Sequence, residues 1–348
     1  MLSCNRNNLY QIEGRLSNLE NTTLYIVFGS SEGNVIDTVL CNEQGQFSLS
    51  REREYDFQVI YIYYDDRKHW FAVYPEENQN IQIKGDASYP VLMQVKGGRT
   101  NNKLSEFKKK ATSLLKERTD ISANTNNTSL SNREDASQLA NINHELRRMI
   151  QDFITKNPNE KASSILISEY FTDPEEIIQA EEFLNMLNPE LNDFFIVKNL
   201  RAQIAKAKTT IVGTKAPEFN VTNIYGQTFT SDSLTNKYYI LAFTASWCDM
   251  CKTEVMMLNN IAKKYTVDSL DIILISLDSE LNEASNFMDQ DSIKWNFVTD
   301  SAGQAIKLFE VYNVSSLPKC FLMDKDGKII LKTNNGVELQ QFVDEIME

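Results

Sequence analysis

The sequence predicts a multidomain chain: an N-terminal antiparallel β sandwich or barrel, a helical middle region and a C-terminal α/β domain. Three patterns predict it. Residues 9–96 break into short runs rich in β-branched and aromatic residues. Residues 101–210 carry apolar residues at helical spacing. From about 214, apolar strands alternate with amphipathic helices. The boundaries read from these changes are 1–8 for a polar tether, 9–98 for the β-rich domain, 99–212 for the helical region and 213–348 for the α/β domain. A chain of 348 residues is too long for one ordinary core.

In the first region "YQIEGRL", "TTLYIVFG", "VIDTVL", "GQFSLS", "YDFQVIYIYY", "HWFAVYP" and "NIQIKG" read as strands, separated by Gly, Asn or Asp. Short strands at this spacing suit a small sandwich or barrel. Cys41 lies in or beside one of them and reads as a small buried residue. In the second region Leu104, Phe107, Ala111, Leu114 and Leu115 form one helical stripe, and Leu139, Ile142, Leu146, Met149, Ile150 and Phe153 another, ended by Pro158. Further helices are expected over roughly 160–171, 174–187 and 190–208, with Pro174 and Pro189 as starters. The Asn/Ser-rich "SANTNNTSLSN", 122–132, reads as a loop. In the third region "YYILAFTA" and "LDIILISLD" read as strands, and their centres "YYILAF" and "IILISL" are continuously apolar, as central strands covered on both faces should be. Helices are expected in "DMCKTEVMMLNNIAKKY", in "NEASNFMDQ", near 302–310 and from Val337. "KWNFVT", "KCFLMD" and "KIILKT" supply the remaining strands, the last two joined by the turn "KDG".

Composition excludes several functions. The net charge is −13, and no basic patch exists that could neutralise phosphates, so nucleic acid is not an expected partner. The "KKK" at 108–110 reads as a solvated helix face. No run of eighteen apolar residues could cross a membrane, and no complete signal peptide is recognisable. The opening "MLSC" has two readings. Leu2-Ser3-Cys4 fits the tail of a lipoprotein signal, ending in the cysteine that receives lipid, and equally an ordinary start with a chance cysteine.

The five cysteines are Cys4, Cys41, Cys248, Cys251 and Cys320, and only Cys248 and Cys251 form a close pair. A structural zinc site needs four Cys or His ligands, and no second pair has ligand spacing; no metal is expected. As a staple, a disulfide closing so short a loop removes little unfolded-state entropy. A redox centre explains more. The pair falls where a strand ends and a helix begins, and the helix start stabilises a thiolate at Cys248. Cys251, one turn further in, can resolve the mixed disulfide that Cys248 forms. Pro318 stands just before a strand, a position that marks an edge, a turn or a cis bond.

Trp247-Cys248-Asp249-Met250-Cys251, Glu254, and Leu317-Pro318 before a strand and a D-x-D-G-K hairpin resemble the thioredoxin family. Within it, the chain is similar to the TlpA/ResA-like thiol–disulfide oxidoreductases of bacterial envelopes. The lead-in "VGTKAPEFNVTNIYGQTFTSDSL" resembles that group's entry segment, and the likeness covers about 213–348. The β-rich segment is similar to an uncharacterised N-terminal domain of Gram-negative envelope lipoproteins. The resemblance implies a thioredoxin fold, a cis bond before Pro318, and a loop facing the cysteines whose backbone pairs with an extended substrate. It implies a substrate surface at Trp247, Leu317 and Pro318, with Trp247 also able to shield the disulfide. It further implies a location in the periplasm or outer envelope, with membrane attachment only through lipid on Cys4.

Two departures stand out. The position that often holds a buried acid in thioredoxins is Ala242, and a helix-kinking proline is replaced by Met256. Glu254, three residues after Cys251, is the remaining candidate for moving the resolving thiol's proton, the alternative being a plain surface charge. Asp249 beside Cys248 opposes thiolate formation while its place in the first helical turn suits the dipole; the two effects are expected to offset partly, and a lesser depression of the thiol makes the dithiol a better reductant. Residues 214–348 hold nineteen Asp/Glu against eleven Lys and no Arg. Cys320 reads as a third redox thiol or as a buried core residue.

The expected activity is thiol–disulfide exchange with protein thiols and disulfides, in the reducing direction, fed by an electron-donor protein. No cofactor is required beyond the Cys248–Cys251 disulfide. The competing readings are a partner-binding scaffold with a tethered redox domain and a thiol peroxidase. The peroxidase lacks its threonine, since Ala245 stands three residues before Cys248, and its arginine.

Overall fold

Alternating inward and outward residues build the first eight strands: β1 (Leu9–Ser17), β2 (Thr23–Ser30), β3 (Gly33–Leu40), β4 (Gln46–Glu52), β5 (Val59–Tyr64), β6 (His69–Val73), β7 (Ile81–Asp86) and β8 (Gln94–Lys96). The computed structural model describes residues 9–30, 33–52, 58–76, 80–127, 133–171, 177–234, 236–279, 296–300 and 303–348. Cys4, Pro174 and the helix expected in "NEASNFMDQ" lie outside the described residues. The strands form two open four-stranded sheets, ordered β4-β1-β7-β8 and β3-β2-β5-β6. Ile12, Leu16, Ile26, Phe28, Ile62 and Ile83 meet in one core between them. Of the two expected forms this is the sandwich. One sheet is mixed rather than wholly antiparallel, because β7 returns from the other sheet to run parallel to β1, with Ile12 opposite Ile81. A parallel neighbour requires such a crossover, and strand pattern alone does not reveal it.

Gly97 and Gly98, both at positive φ, turn the chain into α1 (Arg99–Lys110). The Glu76 side chain accepts the Arg99 and Thr100 amides at 2.8 Å each and so caps that helix. The single stripe expected from Leu104 to Leu115 is two helices, broken at Ala111 before α2 (Thr112–Asn127). That second helix runs through the first half of the expected Asn/Ser-rich loop. Once a helix is nucleated each added residue gains a bond, and here propagation wins over weak propensity. Then follow α3 (Arg133–Lys156), α4 (Lys161–Tyr170), α5 (Ile177–Asn185) and α6 (Phe195–Lys208). Pro189 opens a 3₁₀ turn, Pro189–Asp193, instead of α6 itself; Asn188 caps the turn by accepting the Glu190 amide at 3.0 Å.

The chain divides into two compact units, Met1–Thr172 with Gln179–Leu200, and Asp173–Ile178 with Arg201–Glu348. The second unit opens with a small hairpin, β9 (Asn220–Thr222) and β10 (Thr228–Thr230). Its main sheet has five strands in the order β13-β12-β11-β14-β15. These are β11 (Tyr238–Thr244), β12 (Leu270–Ser276), β13 (Asn296–Val298), β14 (Lys319–Met323) and β15 (Ile329–Thr333). β12 runs parallel to β11 and β13, and β14 antiparallel to β11 and β15. Among its described residues from 213 on, the α-helices are α7 (Asp249–Lys264), α8 (Gln304–Val311) and α9 (Gly336–Met347). Phe243, Phe321, Phe309 and Tyr312 pack on one face. Ala242, Leu258, Cys320 and Leu339 pack on the other, beneath α7 and α9.

Candidate active site

β11 is buried along nearly its whole length and ends at Thr244. Four residues later Cys248 caps α7, with φ −92° and ψ 104°. Its Sγ accepts the Cys251 amide at 3.2 Å, the position a serine or aspartate oxygen takes at an ordinary helix start. Cys248 and Cys251 are joined by a disulfide, with Cα atoms 5.3 Å apart. Cys248 is 9% exposed and Cys251 not at all. Trp247 beside them is 70% exposed. Ala245, Leu277 and Leu317 pack against the two cysteines. The Leu317–Pro318 peptide bond is cis, and Pro318 is buried.

Asp249 is exposed and pairs with Lys252 Nζ at 2.7 Å. Hydrogen bonding and charge from that lysine hold its carboxyl below the usual aspartate range. The lysine partly offsets the field that Asp249 was expected to exert on Cys248. Sequence reasoning missed a different acid. Asp278, buried just beyond β12, accepts the Ser246 amide at 2.9 Å, the Ser246 hydroxyl at 2.7 Å and the Ser276 hydroxyl at 2.5 Å. It ties down the segment carrying Trp247 and Cys248. The one signal in the sequence was an aspartate just after the buried run "IILISL", where a charge is costly unless hydrogen-bonded.

Glu254 is buried, not a surface charge. Its Oε1 accepts the Cys320 thiol at 3.2 Å. Burial pushes its carboxyl above the usual range, against hydrogen bonds from Cys320 and the Gly336 amide that pull it down. Cys320 is equally enclosed, and burial, then the charge and hydrogen bond of Glu254, push its thiol well up, with Lys319 acting the other way. Among the described residues no group of three or more His, Cys, Asp or Glu is placed to hold a metal ion.

Two cysteines that can cycle between dithiol and disulfide at a helix start, on a sheet of this topology, make the C-terminal unit a thioredoxin-like redox domain. The model of the AhpC/TSA family matches residues 212–332, and that of a domain of unknown function, DUF4369, matches residues 10–104. The chain is 30% identical over 144 residues to thiol–disulfide oxidoreductase ResA of Bacillus cereus, covering 41% of this chain and 81% of that protein. It is 31% identical over 137 residues to ResA of Bacillus thuringiensis, covering 39% and 77%. A solved thiol–disulfide oxidoreductase from Bacteroides fragilis is 26% identical, with 38% of this chain and 99% of that one covered and a TM-score of 0.35. The chain belongs to the ResA family of thiol–disulfide oxidoreductases.

Proposed function

We propose that the protein is a reductant of protein disulfides, working outside the cytoplasm and anchored through lipid on Cys4. The observation that carries the redox reading is the Cys248 Sγ at the α7 N-terminus, 3.2 Å from the Cys251 amide. Donor groups there stabilise a thiolate. Cys248, the more exposed sulfur, attacks the substrate disulfide and forms a mixed disulfide. Glu254 takes the proton of Cys251, which then attacks the Cys248 sulfur and releases the substrate thiolate. Trp247 and the Leu317–Pro318 loop hold the substrate strand beside the sulfurs. The acidic surroundings of the site limit thiolate stabilisation and favour the reducing direction.

Insulin reduction tests the activity. Wild type is expected to turn over with a dithiol donor, and Cys248→Ser to be inactive. Cys251→Ser is expected to stall as a mixed disulfide, which also captures partner proteins. Turnover by Cys248→Ser equal to wild type would overturn the assignment. Mass spectrometry of the native protein tests the anchor, since an unmodified Cys4 behind an intact upstream sequence is incompatible with it.

A further inference from the structure

Ala242 and Cys320 stand opposite each other on β11 and β14. Both belong to the apolar layer beneath α7 and α9. Glu254 delivers a carboxyl to this layer from α7. Its Oε1 receives the Cys320 thiol at 3.2 Å, and the Gly336 amide, at the first residue of α9, also donates to the carboxyl. Glu254 is 6% exposed and Cys320 1%. The carboxyl is therefore held by two protein donors.

We infer that Cys320 is a positioning residue for the resolving half of the reaction: its thiol fixes one oxygen of Glu254 and favours the carboxylate that takes the proton of Cys251. The inference rests on the reading that Glu254 is that base.

The chemistry of the pair supports this role over that of a third redox thiol. A thiolate has no hydrogen to donate, whereas the thiol of Cys320 donates to Glu254. Its burial and the neighbouring carboxylate keep it protonated, and so keep it a donor. A hydrogen bond donated to a carboxylate stabilises the charged form more than the acid. In the proton step the Cys251 S–H bond breaks, an O–H bond forms on Glu254, and no electrons move. The Cys251 thiolate then attacks Cys248, forming the intramolecular disulfide as the substrate sulfur leaves with its electron pair. Cys320 is unchanged throughout. The groups that bear on the carboxyl are Cys320 on β14 and the Gly336 amide on α9, and Cys251 stands three residues before it on α7. Lys319, also buried on β14, acts on the Cys320 thiol.

The test uses the full chain and stopped-flow release of the chromophoric thiolate from Ellman's reagent. The first equivalent reports attack by Cys248 and the second reports resolution by Cys251. The rate of the second phase is followed from pH 5 to 9 for wild type, Cys320→Ala, Cys320→Ser and Glu254→Gln. Removing the donor in Cys320→Ala is expected to move the rising limb of the profile up by roughly half to one pH unit. The hydroxyl of Cys320→Ser, a stronger donor, is expected to leave it in place or move it down. Shifts of both variants in the same upward direction would mark a packing effect and overturn the inference. Wild-type profiles for both, with the limb lost in Glu254→Gln, would overturn it while leaving Glu254 as the base. A wild-type profile in Glu254→Gln would remove the base assignment and the inference together.

Discussion

The N-terminal sandwich and the thioredoxin-like domain use their interiors differently. Among the described residues 9–96 the buried side chains are aliphatic, aromatic, Met93 or Cys41, and none is charged. The C-terminal domain buries Glu254, Asp271, Asp278 and Lys319 as well as several hydroxyls and amides. Burying such groups costs free energy unless each is hydrogen-bonded or paired. The sandwich limits that cost to groups such as the Tyr64 hydroxyl, which donates to the Ala87 carbonyl at 2.7 Å, while the redox domain buries charged groups. Their buried free thiols show the contrast in one residue type. Cys41 sits in an apolar core, and burial pushes its thiol up to about 11. Cys320 sits against a carboxylate.

The comparison breaks most sharply at the cysteines. Cys248→Ser is expected to abolish insulin reduction, whereas Cys41→Ser is expected to retain the wild-type rate. The latter should lose only about 1–2 kcal/mol of stability by denaturant unfolding, the cost of a buried hydroxyl. A rate loss in Cys41→Ser would tie the sandwich core to the chemistry.

Next in size is Glu254→Gln, expected to slow resolution of the mixed disulfide by ~10²-fold, near the low end for loss of a general base. Stability should change in the opposite sense. Because the folded-state carboxyl titrates above its unfolded value, wild type is most stable below the unfolded value and loses stability as pH rises through the folded one. Glutamine removes that loss. The variant's advantage over wild type should therefore grow from acid toward alkaline pH, as urea midpoints can show.

Asp278→Ala leaves the Ser246 amide and the Ser246 and Ser276 hydroxyls without their acceptor, and is expected to cost about 3 kcal/mol. Asp249→Ala, at an exposed acid, is the matched control, expected to leave the unfolding midpoint within error. Equal losses in the two would deny Asp278 its anchoring role.

Much of this was legible beforehand because it is local. The CxxC pair at a strand-to-helix junction, the alternating strands of the sandwich and the apolar central strands follow from spacing over ten residues or fewer. What escaped depends on distant partners. Helical spacing set Glu254 near Cys251, but only the packing of α9 buries it. The Cys320 thiol finds Glu254 because β14 lies beside β11, a pairing across some eighty residues. Asp278 meets Ser246 for a similar reason, since β12 runs parallel to β11. The helix through Asn126 and Asn127 was misread because polar composition was allowed to outweigh propagation.

Gly336 carries one further consequence. A Cβ there would stand 2.6 Å from Oε2 of Glu254 and 2.9 Å from Met257, so its missing side chain is space the acid occupies. Residues 254 and 336 are therefore linked in what each can become. Alanine at 336 should be poorly tolerated, and a shorter residue at 254 should relieve the contact with the acid while leaving that with Met257, so the two changes will not add. Any drift toward a bulkier helix start must first displace both the acid and Met257, which makes this corner a ratchet on how the domain can evolve.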